Sequence, residues 1–303
     1  MISFQNFDQW QSVAGFAMVA FFGLLYPLVG EKSTTFKIVF FAGMILAIVI
    51  PFGVIVEQEE RDRLTTRTGK IVNSLTFILL FYCYVHKEIL QKHLPHFFWF
   101  CYWLGWYGVL EFLLVDVLLS RKYQFVEVLF PWLSTNFGIE NLNFTSPINY
   151  LIKFIFLGLF FRDSLQNQIW KKVFQYAVWV LVGFELVQVF VFKSYQGYDS
   201  LSSTVKNIFI LGGAGLLLYR VYASQNVSLS LQKNAYFWIC LGLILPALAE
   251  LFLEFIFTKL YQTDTSSFYR LYLVRNASQM VGFTLLIIGV WQAKYLRFLP
   301  KEF

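Results

Sequence analysis

The chain has 303 residues, of which 58% are hydrophobic, 20% aromatic and 14% charged. Soluble domains average about 25% charged residues, so this composition excludes an ordinary soluble protein and predicts an all-α fold, a polytopic transmembrane helix bundle. The formal net charge of +6 suits basic loops lying against anionic lipid head groups. No block of Lys and Arg is continuous enough for a nucleic-acid surface. We therefore expect a lipid bilayer as partner and no nucleic acid.

The N-terminal stretch MISFQNFDQW lacks the basic head and the small-residue cleavage site of a signal peptide. We expect the first apolar run to remain in the membrane. Eight further runs follow it, and most reach the roughly 20 residues that cross about 30 Å of hydrocarbon. The nine runs are 11–29, 36–56, 69–85, 97–119, 148–161, 170–192, 205–221, 236–257 and 269–291.

The number of spans depends on two short segments, 148–161 and 123–134, which form a re-entrant hairpin or each cross the membrane. We expect roughly eight to ten spans. Nine spans divide the loop Lys and Arg almost equally between the two sides, whereas an even number concentrates them with both termini. Positive loops stay in the cytoplasm, so we predict a bacterial inner (cytoplasmic) membrane protein with both termini cytoplasmic. It forms one integral membrane domain, 1–303, with a two-helix extension (1–56) and a main bundle (69–294).

Acidic residues interrupt several of these runs. Glu111 lies near the middle of the fourth run, and Glu185 lies in the sixth. Neither has an obvious partner nearby in sequence, and Lys153 is a candidate partner by elimination. Asp116 stands close enough to the end of the fourth run to reach the interface, where charges are tolerated.

Two further acids lie in the segment LPALAELFLEFIF, 245–257. Glu250 and Glu254 are four residues apart and project from one helical face. In an antiparallel hairpin with the next run, Glu254 reaches a depth similar to that of Arg275, and Glu250 faces Gln279. The sequence therefore predicts that these acids have polar partners on the neighbouring helix.

A carboxylate left unpaired at the bilayer centre costs about 2.5 to 3.5 kcal/mol on insertion scales. If such acids are paired, they form stabilising contacts between helices. If they bind a proton or a ligand, they form a functional site. Both interpretations stay open. The candidate residues of a ligand or proton site are Glu250, Glu254, Arg275, Asn276, Gln279, Glu111 and Glu185.

Motifs for other chemistry are weak. The three histidines all fall in the stretch HKEILQKHLPH, but His86 and His93 are two helical turns apart, about 10 Å, and Pro95 disturbs a helix beside the third. Cysteines show no CxxC spacing and fall in apolar runs, so we expect buried thiols. No metal site and no cofactor are predicted, and the catalytic residues of any reaction are unknown from sequence.

The C-terminal part, 235–298, contains FWICLGLILP followed by FYRLYLVRNASQMVGFTLLIIGVWQAK. It resembles the last two helices of uncharacterised bacterial multi-pass inner-membrane proteins that look like the seven-helix input modules of histidine kinases. The matching residues are Trp238, Gly242, Tyr269–Tyr272, Asn276, Gly289, Trp291 and Lys294. The resemblance implies a sensor-like role. Extra N-terminal helices and the lack of an output domain after Lys294 depart from it, which would place the output on a partner chain.

Two functions follow as expectations. The first is a sensor-like or scaffold subunit that binds a small or lipidic ligand, or a partner membrane or cytoplasmic protein, within its bundle. The second is a proton-coupled transporter or membrane-embedded enzyme that uses intramembrane carboxylates. A transporter needs a carboxylate that gains and loses a proton, whereas a scaffold needs every buried charge to be satisfied.

Overall fold

The computed structural model describes residues 60–112, 131–137, 144–196, 199–223, 233–263, 265–300 and 302–303. Within these ranges the regular structure is entirely helical. The helices are α1 (Glu60–Val85), α2 (Lys87–His93), α3 (Pro95–Phe112), α4 (Pro131–Phe137), α5 (Thr145–Ser164), α6 (Gln168–Phe190), α7 (Ser200–Ala223), α8 (Ala235–Thr263) and α9 (Thr265–Trp291). Short 3₁₀ helices cover Ser194–Gln196 and Gln292–Phe298.

Six of the long helices form a closed ring. In order around it, α1 packs on α3, α3 on α5, α5 on α7, α7 on α8, α8 on α9, and α9 again on α1. The remaining long helix, α6, lies outside the ring against α5. Polar side chains that point into this ring are shielded by neighbouring helices.

Four helical segments are long and apolar enough to cross a membrane: Gln168–Phe190, Ser200–Ala223, Ala235–Ile256 and Leu271–Phe298. The chain is therefore a helical membrane protein, as its composition predicts. The runs 11–29 and 36–56, which make up the predicted extension, lie outside the described residues, and so does most of 123–134. The number of eight to ten spans stays a prediction.

Aromatic side chains fill the described core. Phe97 of α3 lies 5.4 Å, between ring centroids, from Phe160 of α5, which stacks in turn on Tyr236 of α8. The outer helix α6 shows the opposite pattern, because Tyr176 and Trp179 on it are about two-thirds exposed. Large apolar side chains on an outward face are favourable in hydrocarbon and unfavourable in water, which fits a lipid-facing helix.

The hairpin of α8 and α9 is held close by two glycines. A Cβ atom on Gly242 would lie 2.8 Å from the Gly282 carbonyl oxygen, and one on Gly282 would lie 2.9 Å from the Gly242 carbonyl oxygen. Small residues allow membrane helices to approach closely. The close contact supports the register that brings Gln279 of α9, about one turn from Gly282, to Glu250 of α8, about two turns from Gly242.

One end of the bundle is closed by the C-terminal segment. The Phe303 amide donates to the Ser164 carbonyl at 2.8 Å, and the Gln166 amide donates to the Phe303 carbonyl at 2.8 Å. The last residues thus pair with the turn between α5 and α6.

His86, between α1 and α2, lies at an edge-on angle to Trp291 with 5.9 Å between ring centroids.

Candidate functional site

Glu250 is the centre of a buried polar cluster between α7, α8 and α9. Lys206 Nζ donates to Glu250 Oε2 at 2.7 Å, and Gln279 Nε2 donates to Glu250 Oε1 at 2.6 Å. Arg275 Nε lies 3.7 Å from Glu250 Oε1. Both carboxylate oxygens therefore have a hydrogen-bond donor, and the side chain is only 11% exposed.

Helix α5 contributes two more residues to this site. The Lys206 ammonium lies 5.5 Å from the centre of the Tyr150 ring, a distance at which a cation is attracted to an aromatic face. Lys153, one turn along α5, acts electrostatically on Glu250. We call these residues, with Glu254, the Glu250 cluster; its members are Glu250, Glu254, Lys153, Lys206, Arg275, Gln279 and Tyr150.

The described part of the Glu250 cluster contains more bases than acids. Its described acids are Glu250 and Glu254, and its described bases are Lys153, Lys206 and Arg275. Glu250 is ionised, because charge-assisted hydrogen bonds from an ammonium favour the carboxylate over the neutral acid. The cluster therefore carries one base more than it has acids.

The contact predicted between Glu250 and Gln279 is confirmed by the 2.6 Å hydrogen bond. Arg275 reaches Glu250 as well, at the longer distance of 3.7 Å. Glu254, half-buried one turn further along α8, acts on Tyr150. Its pairing with Arg275 stays a prediction.

Asn276 belongs to a different contact of the same helix. Its Nδ2 donates to Thr68 Oγ1 at 2.7 Å, and the side chain is only 2% exposed. Asn276 therefore ties α9 to α1, whereas Arg275 and Gln279 reach α8.

Glu185 is not joined to the Glu250 cluster by any contact among the described residues. It is fully buried on α6 and interacts with Ser202 and Asp199. Lys153, the partner suggested for it by elimination, instead acts on Glu250. The side chain of Glu111 and all of Asp116 lie outside the described residues.

Besides Tyr150, Lys206 is the residue of this site that the sequence did not indicate. It stands near the start of the apolar run 205–221 and therefore reads as a loop charge. The helix in fact begins at Ser200, because the Asp199 carboxylate caps it by accepting from the Ser202 amide at 3.0 Å. Lys206 is thus in the second turn. The helical spacing of residues on one face of α7 could have indicated that Lys206 belongs to the helix. In the structure this face is buried and consists of Ser202, Ser203, Lys206, Asn207, Ile210, Gly213, Ala214 and Leu217.

Comparison with known proteins adds no family. No protein-family model matches this sequence, and searches of the curated proteins and of the solved structures give no match. The functional reading therefore depends on the site itself.

Proposed function

We propose that this protein is a sensor-like or scaffold subunit of the bacterial inner membrane, and that its Glu250 cluster binds an anionic group. The anionic group is a phosphate or carboxylate, carried by a small molecule or by a lipid head group. The observation that carries the proposal is the convergence of three bases on one polar cluster, with the Arg275 side chain 30% exposed at its outer part. A bound anion would accept charge-assisted hydrogen bonds from these bases, which are stronger than neutral ones.

The cluster has an inner and an outer part, which supports a binding role. Lys206 and Glu250 are 7% and 11% exposed at their side chains, whereas the Arg275 side chain is 30% exposed. Lys153 is also only partly buried. The inner pair fixes the helices, and the outer bases are accessible to a ligand. Arg is well suited to this task because its planar guanidinium can donate two parallel hydrogen bonds to a phosphate or carboxylate.

Glu250 itself gives no support to the alternative of proton-coupled transport. A proton carrier must alternate between its charged and neutral forms, but Lys206 and Gln279 both donate to the Glu250 carboxylate. Protonation would remove the acceptor from at least one of these bonds. Glu250 is better suited to anchoring the bases than to releasing protons.

Three further elements belong to the same proposal. Cytoplasmic termini follow from the distribution of loop Lys and Arg. A single membrane domain covering 1–303 follows from the absence of a long polar segment in the sequence. The resemblance of 235–298 to histidine-kinase input modules supports a sensor-like role.

Ligand-induced stabilisation tests the binding role, because a ligand that binds only the folded state raises the melting temperature. Purified protein in neutral detergent is titrated with short-chain phosphatidic acid, with glycerol phosphate and with short-chain phosphatidylcholine. We expect phosphatidic acid to raise the melting temperature more than phosphatidylcholine. A matching response to glycerol phosphate indicates a free anion as ligand, and a response to phosphatidic acid alone indicates a lipid.

Two variants locate the effect. Lys153→Met removes an outer base without breaking the hydrogen bond from Lys206 to Glu250, and we expect it to abolish most of the stabilisation by anions. Lys172→Met removes an exposed charge at the start of α6 and should leave the response intact. Equal responses in both variants, or no preference for anions in the native protein, would refute the proposal.

A further inference from the structure

A second acidic site lies away from the Glu250 cluster, where α6 meets the start of α7. Glu185 of α6 has no solvent exposure, and neither of its carboxyl oxygens has a hydrogen-bond partner among the described residues. Buried polar groups are nearly always hydrogen-bonded, and an exception requires an explanation. A buried carboxylate without donors is the most costly form of such an exception.

The charged neighbour of Glu185 is another acid. Asp199 immediately precedes α7 and accepts two hydrogen bonds from Ser202, one from the amide at 3.0 Å and one from the hydroxyl at 2.6 Å. This is the geometry of a helix N-cap, and the N-terminal end of a helix favours negative charge. Asp199 therefore uses its carboxyl oxygens as hydrogen-bond acceptors at the start of α7.

Ser202 provides Glu185 with no hydrogen-bond donor. Ser202, the other group that interacts with Glu185, has a single hydroxyl hydrogen and donates it to Asp199. The Ser202 oxygen can offer Glu185 only acceptor lone pairs. A carboxylate is itself an acceptor and cannot use them, whereas a carboxylic acid can donate to them.

Several described bases on the helices around Glu185 act on other acids, and on α7 Lys206 donates to Glu250 at 2.7 Å. On α5, which packs against α6, Lys153 acts on Glu250, and Arg162 donates to Asp163 at 2.7 Å. On α6 itself, the neighbouring buried polar side chain is Gln188, which carries no charge. The remaining charged group that acts on Glu185 is Asp199.

We infer that Glu185 is a proton-binding site, held as a neutral carboxylic acid at neutral pH by its burial and by the acid Asp199 at the start of α7. The ligand of this site is a proton, and the site is separate from the anion-binding Glu250 cluster. Loss of the proton places two negative charges side by side at the junction of α6 with α7. A rise in pH that removes this proton is therefore expected to weaken the contact between α6 and the start of α7.

Infrared spectroscopy of the full-length protein in phosphatidylcholine vesicles tests the inference, since neutral and ionised carboxyl groups absorb at separate frequencies. The spectrum of Glu185→Gln is subtracted from that of the native protein at pH 7. We expect the substitution to remove the carbonyl band of one neutral carboxylic acid. Glu250→Gln and Glu88→Gln, the latter at an exposed position of α2, should remove only carboxylate bands. Loss of a carboxylate band in Glu185→Gln overturns the inference.

A second variant keeps the test decisive even where Glu185→Gln fails to fold. Asp199→Asn retains a side-chain oxygen that caps α7 but removes the negative charge beside Glu185. A neighbouring like charge favours the neutral form of an acid. We therefore expect the neutral carboxyl band of Asp199→Asn to disappear at a lower pH than in the native protein. An unchanged titration, or no neutral band at any pH near 7, contradicts the inference while leaving the anion-binding proposal intact.

Discussion

Lys206 and Glu250 are 44 residues apart in sequence, and the Lys206 ammonium donates to the Glu250 carboxylate at 2.7 Å. The bond joins α7 to α8 in the interior of the ring. Both side chains are largely hidden from solvent, at 7% and 11% exposed, so neither charge can be hydrated when the other is removed. Breaking one partner of such a pair is more damaging than replacing both.

Replacing Lys206 by Met tests this pair. Lys206→Met leaves the Glu250 carboxylate with Gln279 and the more distant Arg275, and we expect a loss of about 3 kcal/mol in the free energy of unfolding. Equilibrium unfolding in mixed detergent micelles measures the loss. Lys171→Met is the matched control, because Lys171 pairs with the partly exposed Glu302 and exposed pairs contribute about 0 to 1 kcal/mol.

The double variant Lys206→Met with Glu250→Gln separates pairing from packing. Both charges of the contact are then gone, so we expect it to be less destabilised than the sum of the two single variants. The same unfolding experiment gives the coupling energy. Strictly additive losses would show that the contact contributes no energy of its own.

The hydrogen bond from Asn276 to Thr68 ties α9 to α1. A double-mutant cycle with Asn276→Ala and Thr68→Val should give a coupling of about 0.6 to 2 kcal/mol, the range for interhelical hydrogen bonds in membranes. Asn276→Ala combined with Thr284→Val serves as control, since Thr284 donates to the Met280 carbonyl of its own helix. We expect additive effects in the control pair.

Close packing of α8 against α9 predicts an opposite outcome for two Gly→Ala variants. Gly282→Ala places a methyl group against Pro246 and the Gly242 carbonyl, so we expect a loss of about 1 to 3 kcal/mol from overpacking. Gly212 has nothing within 4 Å of an added Cβ. Gly212→Ala should leave stability unchanged or raise it by up to about 1 kcal/mol, because Ala is the better helix former. Thermal unfolding of both variants in one detergent decides between these outcomes.

Stability should also depend on pH through His86, which lies in the turn between α1 and α2. Burial, and then the positive charge of Lys294, lower the pKa of His86 from its ordinary value of 6.5. Between that lowered pKa and 6.5 the unfolded chain binds more protons than the folded protein, so stability rises with pH in this window. It is fully present above 6.5 and is lost as the pH falls.

Melting temperatures measured from pH 8 down to pH 5 check this expectation. The native protein should lose stability below pH 6.5, and His86→Gln should lose less over the same interval. Lys294→Met is expected to weaken the dependence as well, because it removes the like charge. Identical pH profiles in His86→Gln and in the native protein would assign the loss to other groups.

Part of the candidate site was predictable because it is local. Glu250 and Gln279 lie on helices that follow one another directly in sequence, so the helical repeat and an antiparallel hairpin are enough to place them face to face. The buried thiols were equally predictable from their apolar surroundings, and Cys83, Cys101 and Cys240 are all buried. Both inferences depend only on residues that are near one another in sequence.

The partner of Glu250 on α7 was not predictable in this way. Lys206 reads as a loop charge until the cap at Asp199 shows that its helix starts earlier. Its position beside Tyr150 of α5 also requires knowing that α5 and α8 both pack on α7. The register of a hairpin does not predict which helices from distant parts of the chain pack against each other.

The sequence by itself determined the environment: with 14% charged residues and 58% hydrophobic residues, most side chains can be satisfied only in a bilayer, and the few intramembrane charges must turn inward. Only the tertiary structure decided which charges meet. It gave Glu250 two donors and left Glu185 beside Asp199 and without a donor among the described residues. The physical reason is that burial follows from the transfer energy of each residue, whereas pairing depends on how whole helices are arranged around one another.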